Sequence, residues 1–303
     1  MLDRRNHFKL VEKRTITNEA LAALDLKRLL VGTDFSPRAD VALRRAARIA
    51  LDHGTALTLF HAGNAVANDQ MARQFRANAE AILLEKIRML GLPPTIAVKG
   101  CIGTGKPFAE IIRQAREEAA ELIVLGAHGT NVVRDLFLGK TAEKVVRKGD
   151  RPVLIVKQGN RVPYRQVLVP VDFSEYSVRA LELASQLAPQ AQFRVLHAYR
   201  GFEGQLSRAG IARSKITRYR RTFAKRKRHE MDLFLRRISR GRPIKQLLRR
   251  GRAPHVITKA AQRLRPDLVA VGTSGRTGLP YFLLGSVAEH VLREVSCDVL
   301  VTR

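Results

Sequence analysis

The sequence lacks the features of a membrane protein and of a disulfide-rich secreted protein. It has only two cysteines in 303 residues, and Cys101 and Cys297 lie near the ends of two different predicted strands, which is no disulfide framework. No apolar run approaches the roughly 18 residues of a membrane-spanning helix. The charged stretch from Met1 to Arg14 has no apolar signal-peptide core. These absences predict a protein of the reducing cytoplasm, without a transmembrane segment.

Acidic residues are scarce as well. The chain has 27 Asp and Glu against 55 Lys and Arg, which gives a net charge of +28. Such an excess attracts polyanions, whether nucleic acid, anionic lipid or nucleotide phosphates. More than half of the excess lies in residues 213–252, where 17 Lys and Arg accompany only Glu230 and Asp232.

Motifs of common catalytic and metal sites are also missing. No His and Cys cluster has metal-ligand spacing, and no Ser–His–Asp set can be assembled from the sequence alone. The segment from Gly100 to Lys106 has the Gly-x4-Gly-Lys spacing of a phosphate-binding loop. It is followed by Pro107, which supplies neither a magnesium-binding hydroxyl nor an N–H group. We therefore interpret this segment as a turn after a third strand predicted at 95–99.

What the chain does contain is a strand and helix order that occurs twice. After an N-terminal arm at 1–26, five strands alternating with helices are predicted at 27–159, and the order restarts at 163–303. The second copy is longer because one helical region is predicted to run over 207–238. Alternating strands and helices predict an α/β fold with two parallel, helix-covered sheets.

Each copy places an aspartate after its first strand and glycines after its fourth. In the second copy Gly272 and Gly275 are followed, after nine residues, by Gly285-Ser286 at the start of a helical pattern. Ligands of open parallel sheets bind beyond the carboxyl ends of the strands, and a glycine-led helix start offers free N–H groups to a phosphate. If strands one and four are neighbours, the aspartate and the glycines flank one crevice.

These residues together resemble the universal stress protein family in its tandem two-domain form. The resemblance is carried by Val-Pro-Val-Asp-Phe-Ser at 169–174, by the strand end His197-Ala198 and by the glycine spacing, and it covers about 27–303. It implies two doubly wound, five-stranded, Rossmann-like sheets packed as a pseudo-dimer. It also implies adenine nucleotide binding, as in one branch of the family, and dimerisation.

The resemblance implies an intact ATP site in the second copy. Asp172 would hold the ribose, and magnesium would arrive with the nucleotide. The residues expected at the base are Pro170, Val171 and Ala198. The residues expected at the phosphates are Gly272, Gly275, Gly285, Ser286 and Val287, with Arg276 added on charge grounds. The alternative is that the glycines only make tight turns.

The first copy departs from this pattern, so the second is predicted to be the main site. Gly32 replaces the proline of strand one, and Lys140 replaces the serine of the Gly-Ser pair. Lys140 either adds charge to a phosphate or fills the crevice, and Thr141 is a candidate for the lost hydroxyl. The positions that remain are Asp34, Ala62, Gly126, Gly129 and Gly139.

The basic segment Arg213–Arg252 supports a rival prediction. A basic helix can follow phosphates, so this segment is a candidate for contact with nucleic acid or an anionic surface. Alternatively, its charges form a solvated face opposite an apolar stripe that packs on the sheet. The residues of that stripe would be Tyr219, Phe223, Met231, Phe234, Leu235 and Ile238.

The function predicted from the sequence is that of an adenine-nucleotide-binding stress protein, regulatory rather than catalytic. A slow ATPase is one alternative, although the motif places no general base. A polyanion-binding scaffold that acts through the basic segment is the other. His61 and His197 end equivalent strands, and this repetition favours a structural role for both.

Overall fold

The computed structural model of the chain describes residues 26–63, 69–127, 138–159, 163–238, 242–273 and 284–303. All of the predicted N-terminal arm except Leu26 lies outside these residues. We call the part from the first to the fifth strand the first repeat, and the part from the sixth to the tenth strand the second repeat.

The first repeat alternates strands and helices in the predicted order. Its elements are β1 (Arg28–Thr33), α1 (Pro37–His53), β2 (Ala56–Gly63), α2 (Asp69–Leu90), β3 (Val98–Thr104), α3 (Pro107–Glu117), β4 (Leu122–Gly126), α4 (Lys140–Lys148) and β5 (Val153–Val156). Ser36 caps α1 by accepting a hydrogen bond from the backbone N–H of Ala39, and Pro37 follows at the first helical position, as these residue types favour.

The second repeat has the same order with one additional helix. Its elements are β6 (Gln166–Pro170), α5 (Glu175–Leu187), β7 (Gln192–Tyr199), α6 (Glu203–Arg208), α7 (Arg213–Ile238), β8 (Ile244–Arg250), α8 (Ala253–Leu264), β9 (Leu268–Gly272), α9 (Ser286–Glu294) and β10 (Asp298–Thr302). The single helical region predicted at 207–238 is wrong. Gly210 has the left-handed φ of 71° that ends helices, and it separates α6 from α7.

The third strand also differs from its prediction. Gly100 to Thr104 belong to β3, so the turn begins only at Gly105, whose φ is 147°. The glycine-rich sequence obscured the strand, but a side chain at Gly103 would approach the ring of Phe60 to 2.7 Å. Glycine is therefore needed there for close packing on the neighbouring strand. The segment with phosphate-loop spacing is for the most part a β-strand.

All ten strands form one continuous sheet in the order β3-β2-β1-β4-β5-β10-β9-β6-β7-β8. Within each repeat the strands are parallel in a doubly wound order. The repeats meet where β5 and β10 pair antiparallel, with Leu300 opposite Leu154 and Val299 opposite Ile155. The predicted tandem Rossmann-like fold is confirmed, and its two sheets join edge to edge.

Helices cover both faces of this sheet, which explains why its strands are apolar throughout. In β1, Leu29 and Val31 belong to the cluster under α1, α2, α5 and α7. Leu30 belongs to the cluster on the opposite face, under α3, α4, α8 and α9. The core therefore continues across the junction of the repeats on both faces.

The repeats cap one another's helices across their junction. Lys157, which follows β5, donates from Nζ to the carbonyl oxygen of Leu292 in α9 at 2.6 Å. Arg303, which follows β10, donates from Nη2 to the carbonyl oxygen of Val146 in α4 at 2.7 Å. Helix C-termini leave carbonyls unpaired and carry negative partial charge, so both contacts are favourable. Burial lowers the pKa of Lys157 to about 8.

A buried polar cluster around Asp298 reinforces the junction on one side. One carboxylate oxygen of Asp298 accepts hydrogen bonds from the backbone N–H groups of Lys157 and Gln158, at 2.8 and 3.0 Å. The other accepts from the hydroxyl of Tyr164 at 2.7 Å and forms an ion pair with Arg45 at 3.2 Å. The side chain of Arg45 is 4% exposed and that of Asp298 is 0% exposed. α1 of the first repeat is thereby linked to β10 of the second.

Candidate functional site

A crevice opens in the second repeat at the carboxyl ends of β6 and β9. These strands are neighbours, because Val167 pairs with Leu268 and Leu168 with Val269. The crevice encloses about 200 Å³. The residues after strand one and the glycines after strand four therefore do flank one cavity.

Most of the residues predicted for the second-repeat site line this crevice. They are Pro170, Val171, Asp172, Ala198, Gly272, Gly285, Ser286 and Val287. Gly275 and Arg276 lie outside the described residues. The structure brings the eight together, and their role in binding a nucleotide stays a prediction.

Sequence reasoning missed further lining residues. They are Ser177, Leu196, Ala253, Ile257, Val271, Thr273 and Ala288. Most are apolar residues inside strands or helices, where an apolar side chain gives no sign of whether it faces a core or a cavity. Ser177 carried a usable signal, since it lies one helical turn after Ser174.

The carboxylate of Asp172 is held by the first turn of α5. Its Oδ1 accepts hydrogen bonds from the backbone N–H and the hydroxyl of Ser174, at 3.0 and 2.5 Å, and from the hydroxyl of Ser177 at 2.8 Å. The Oγ of Ser174 also caps α5 by accepting from the N–H of Ser177. One serine thus ties the helix start to the acid, which fixes the carboxylate at the crevice wall.

In both repeats, the phenylalanine that follows the aspartate stacks on a buried histidine. Phe173, with a left-handed φ of 66°, stacks on His197 at 4.2 Å between ring centroids. The Nδ1 of His197 lies 2.8 Å from the carbonyl oxygen of Val171. In the first repeat, Phe35 has a φ of 63° and stacks on His61 at 4.1 Å. Both histidines therefore have the structural role predicted from their repetition.

Gly272 is required for packing. A Cβ atom there would lie 2.5 Å from the Cβ of Tyr176 and 3.0 Å from its carbonyl oxygen. The missing side chain makes room for α5, and the expected contact of Gly272 with a phosphate stays a prediction. Gly272 still borders the crevice through its backbone.

The start of α9 supplies hydrogen-bond donors at the crevice. Gly285 is the N-cap residue, with φ −61° and ψ 146°, and no side chain of the described residues caps this helix. The N–H of Gly285 donates to the carbonyl oxygen of Thr273 at 2.7 Å, which holds the helix start beside the end of β9. The N–H groups of Ser286 and Val287 belong to the first helical turn, where an anion binds favourably.

The lining of the crevice is therefore part polar and part apolar. Asp172 and the N-terminus of α9 supply polar groups, and Leu196, Ile257 and Val271 supply an apolar surface, which we call the floor. This arrangement suits a ligand that has hydroxyl donors, a flat apolar group and an anionic group. Among the described residues, no group of three or more His, Cys, Asp or Glu is arranged to hold a metal ion.

The aspartate of the first repeat is also held by the serine that caps the following helix. Oδ1 of Asp34 accepts from the backbone N–H and the hydroxyl of Ser36, at 3.1 and 2.5 Å. Ala39 occupies the position that corresponds to Ser177, so that position has no hydroxyl to donate.

The positions that correspond to the floor carry larger side chains in the first repeat. Leu125 corresponds to Val271, and Phe60 corresponds to Leu196. A Cβ atom on Gly32, which replaces Pro170, would lie 2.6 Å from Cδ2 of Leu125. The bulkier Leu125 thus packs in the place of the missing proline side chain.

The helix start of the first repeat keeps its backbone geometry. Gly139 precedes α4 and donates to the carbonyl oxygen of Ala127 at 2.8 Å. Lys140 is exposed, which favours added charge over filling of the crevice. Ala62 is the penultimate residue of β2 and Gly126 is the last residue of β4, and Gly129 lies outside the described residues.

Helix α7 packs through the predicted apolar stripe. Met231, Phe234 and Leu235 are buried, whereas Tyr219 and Phe223 are half-buried and stack on each other at 5.6 Å. Ile238 packs against the same core cluster. Within the part of the chain that the structure describes, no helix has both the length and the apolar sequence needed to cross a bilayer.

Comparison with known proteins places this geometry in a family. The model of the universal stress protein family matches residues 25–157 and again residues 163–303. A universal stress protein of Mycobacterium tuberculosis is 26% identical over 301 residues, which cover 91% of this chain and 96% of the relative. A universal stress protein of Thermus aquaticus is 31% identical over 138 residues, which cover 43% of this chain and 98% of the relative.

Solved structures show the same tandem architecture. The crystal structure of a universal stress protein from Archaeoglobus fulgidus has a TM-score of 0.65 at 20% identity, covering 91% of this chain and 98% of that one. At this identity the likeness supports the fold alone.

Proposed function

The chain belongs to the universal stress protein family, and we propose that it binds an adenine nucleotide, ATP first of all, in the crevice of the second repeat. One observation carries the proposal: a fixed carboxylate and an uncapped helix N-terminus face one apolar-floored crevice. A carboxylate accepts hydrogen bonds from ribose hydroxyls, and a helix start binds phosphate. Occupancy of the crevice by the nucleotide changes the shape of the protein or its choice of partner, so the protein is regulatory rather than catalytic.

Each part of the nucleotide has a counterpart in the crevice. Asp172 binds the ribose hydroxyls through its carboxylate. Hydrogen bonds from Ser174 and Ser177 hold that carboxylate in a fixed orientation. The backbone N–H groups of Ser286 and Val287 and the Ser286 hydroxyl bind the phosphates. The base lies on the apolar floor beside Pro170, Val171 and Ala198, and Gly275 and Arg276 are assigned to the phosphates from the sequence alone.

Magnesium would be held mainly by the nucleotide. Among the described lining residues, Asp172 is the single carboxylate and Ser286 adds a hydroxyl. Hard cations of this kind bind through phosphate oxygens and one or two protein oxygens. The donors fit an ion that arrives with ATP rather than a resident metal.

Slow hydrolysis of ATP in the same crevice is the alternative. A hydrolase needs a general base within hydrogen-bond reach of the attacking water. The described lining residues include no histidine, and three donors already occupy Oδ1 of Asp172. These features favour binding over turnover.

The proposal has a direct test. Protein purified without added nucleotide is denatured, and the released nucleotides are identified and counted. Calorimetric titration of stripped protein with ATP then gives the stoichiometry. We expect one adenine nucleotide per chain, and a wild-type protein that is empty as purified and gives no binding heat at millimolar ATP would refute the proposal.

The cellular setting belongs to the same proposal. Cys101 and Cys297 are both free thiols, in different repeats, which fits the reducing cytoplasm. Association of whole chains stays a prediction. It would use surfaces other than the edges of β5 and β10, since those strands already pair with each other.

A further inference from the structure

One end of the ten-stranded sheet carries a concentration of positive charge. Helix α7 has eleven Lys and Arg against two acidic residues, and ten of the eleven are exposed. Strand β8, at the edge of the sheet, adds Lys245, Arg249 and Arg250, all exposed. We call the exposed Lys and Arg of α7 and β8 the basic ridge. A hydrogen bond of 2.8 Å between Gln246 and Asp232 holds the strand and the helix side by side.

The first repeat provides an internal reference for this charge. Helix α2 lies beside the edge strand β3, as α7 lies beside β8, and it has four Lys and Arg and three acidic residues. Its net charge is therefore +1, whereas that of α7 is +9. Strand β3 has a single basic residue, Lys99, which pairs with Glu118 at 2.6 Å. Protection of a sheet edge from aggregation thus does not require the basic ridge.

The basic ridge also opposes the stability of its own helix. Arg218, Arg221, Lys225 and Arg228 follow one another at spacings of three and four residues. Like charges at these spacings lie next to each other on a helix and destabilise it. Of the two acids in α7, Glu230 is paired with Arg226 and Lys227. An external polyanion would relieve the remaining repulsion.

We propose that the basic ridge binds the sugar–phosphate backbone of nucleic acid without reading the base sequence. Helix α7 has 26 residues, which corresponds to about 39 Å at the rise of an α-helix and exceeds the roughly 34 Å of one duplex turn. Eight of its eleven basic residues are arginines, whose planar guanidinium groups bind phosphate through paired hydrogen bonds. Contacts of this kind position a protein on nucleic acid and carry no sequence information.

A membrane surface fits the basic ridge less well. A helix that lies on a bilayer inserts an apolar face between the lipids. The apolar side of α7 is turned toward the sheet, where Met231, Phe234 and Leu235 are 0%, 6% and 6% exposed. Leu233, 48% exposed, is a single apolar side chain among charged neighbours.

The inference does not rest on nucleotide binding, since no residue of the basic ridge lines the crevice. Its test uses the full chain and a labelled 30-base-pair duplex of arbitrary sequence, as DNA and as RNA, with anisotropy measured from ~0.05 to ~0.2 M salt. The ridge variant carries R218Q, R220Q, R221Q and R228Q. A matched control removes the same charge from the first repeat, through R44Q, R73Q, R76Q and R88Q. All eight arginines are exposed.

We expect wild type and control to bind duplexes of different sequence alike, and the ridge variant to bind at least ~100-fold more weakly at ~0.1 M salt. The slope of log affinity against log salt should become shallower by about 3 to 4 in the ridge variant, because four phosphate contacts are lost. Absence of wild-type binding, or equal weakening of both variants, would overturn the proposal. Retention on phosphatidylserine vesicles but not on duplexes would overturn it in favour of a membrane.

A footprint on the wild-type protein makes the result independent of how the variants fold. Phenylglyoxal modifies exposed arginines, and bound duplex should protect Arg218, Arg221 and Arg228 while Arg73 and Arg76 stay reactive. Equal reactivity of both groups with saturating duplex would contradict the proposal.

Discussion

Each repeat places an aspartate at the end of its first strand and a glycine-led helix after its fourth, yet the side chains around these groups differ. Ser174 and Ser177 both donate hydrogen bonds to Oδ1 of Asp172, whereas Ser36 donates to Oδ1 of Asp34 and an alanine stands in the place of Ser177. In the first repeat Leu125 packs next to Gly32, where the second repeat has Val271 and Pro170. The turns that frame a site therefore persist while the side chains between them change.

The largest expected effect contrasts the two aspartates. Asp172→Ala should weaken ATP binding by about 3–6 kcal/mol, because two hydrogen bonds to a charged acceptor are lost at about 1.5–3 kcal/mol each. Asp34→Ala removes the same type of turn contact and should leave the affinity within a few-fold. Calorimetric titration of both variants measures the difference, and the melting temperature of each monitors the turn. Equal losses from both would show that the repeats are equivalent.

The next effect concerns the one-sided cluster at the junction. Arg45 corresponds to Leu183 in the second repeat, so Arg45→Leu gives α1 the residue that α5 has at this position. This change leaves the carboxylate of Asp298 buried without its cation, which should destabilise the chain by about 3 kcal/mol. Urea denaturation at neutral pH measures the loss. Adding Asp298→Asn should recover part of it, and a single variant as stable as the wild type would mean that the ion pair contributes nothing.

The reciprocal helix contacts differ in their response to pH. Burial lowers the pKa of Lys157 to about 8 in the folded chain, whereas the pKa of a lysine in an unfolded chain is about 10.4. The unfolded state binds more protons between these values, so stability should rise with pH, by about 2–3 kcal/mol from pH 7.5 to 10.5.

The comparison variant for this effect is Lys157→Arg, which copies Arg303 and stays charged over the whole range. Denaturant midpoints of wild type and variant, taken at several pH values, isolate the contribution of the lysine. The neighbouring acids Asp298 and Glu294 are common to both proteins. Parallel pH profiles would mean that Lys157 does not titrate in this range.

The smallest expected effect comes from exchanging the first residues of α9 and α4, Ser286 and Lys140. Ser286→Lys replaces a hydroxyl by the residue of the first repeat, and Lys140→Ser makes the reverse change. The first should weaken ATP binding by about 1 kcal/mol, the scale of one hydrogen bond, and the second should create no binding because the bulkier Leu125 and Phe60 remain. A second equivalent of ATP bound by Lys140→Ser would show that the helix start, and not the cavity, limits the first repeat.

The sequence was sufficient for those features that depend on local residues. The two aspartates and the glycine spacing located the carboxyl ends of strands that are neighbours in the sheet. Local chemistry decides such features, so one copy of the pattern would have been enough. Duplication added the expectation that the histidines are structural.

Features that depend on distant partners could not be predicted. The pairing of β5 with β10 involves two edge strands whose sequences look like any buried strand. The packing role of Gly272 was not predictable, because its neighbour Tyr176 is far away in sequence. The predicted third strand was too short because glycines usually mark turns. Here Gly103 lies within β3, where the absence of a side chain leaves room for the ring of Phe60.

The antiparallel joint between β5 and β10 has a consequence for how such a chain can evolve. Two identical subunits that meet edge to edge must accept every substitution twice, once on each side of their symmetry axis. Fusing the halves into one polypeptide removes that constraint while the joint itself is kept. The side chains at the aspartate of one half and the outer helix of the other are then free to change separately, as a division of labour within a single gene product.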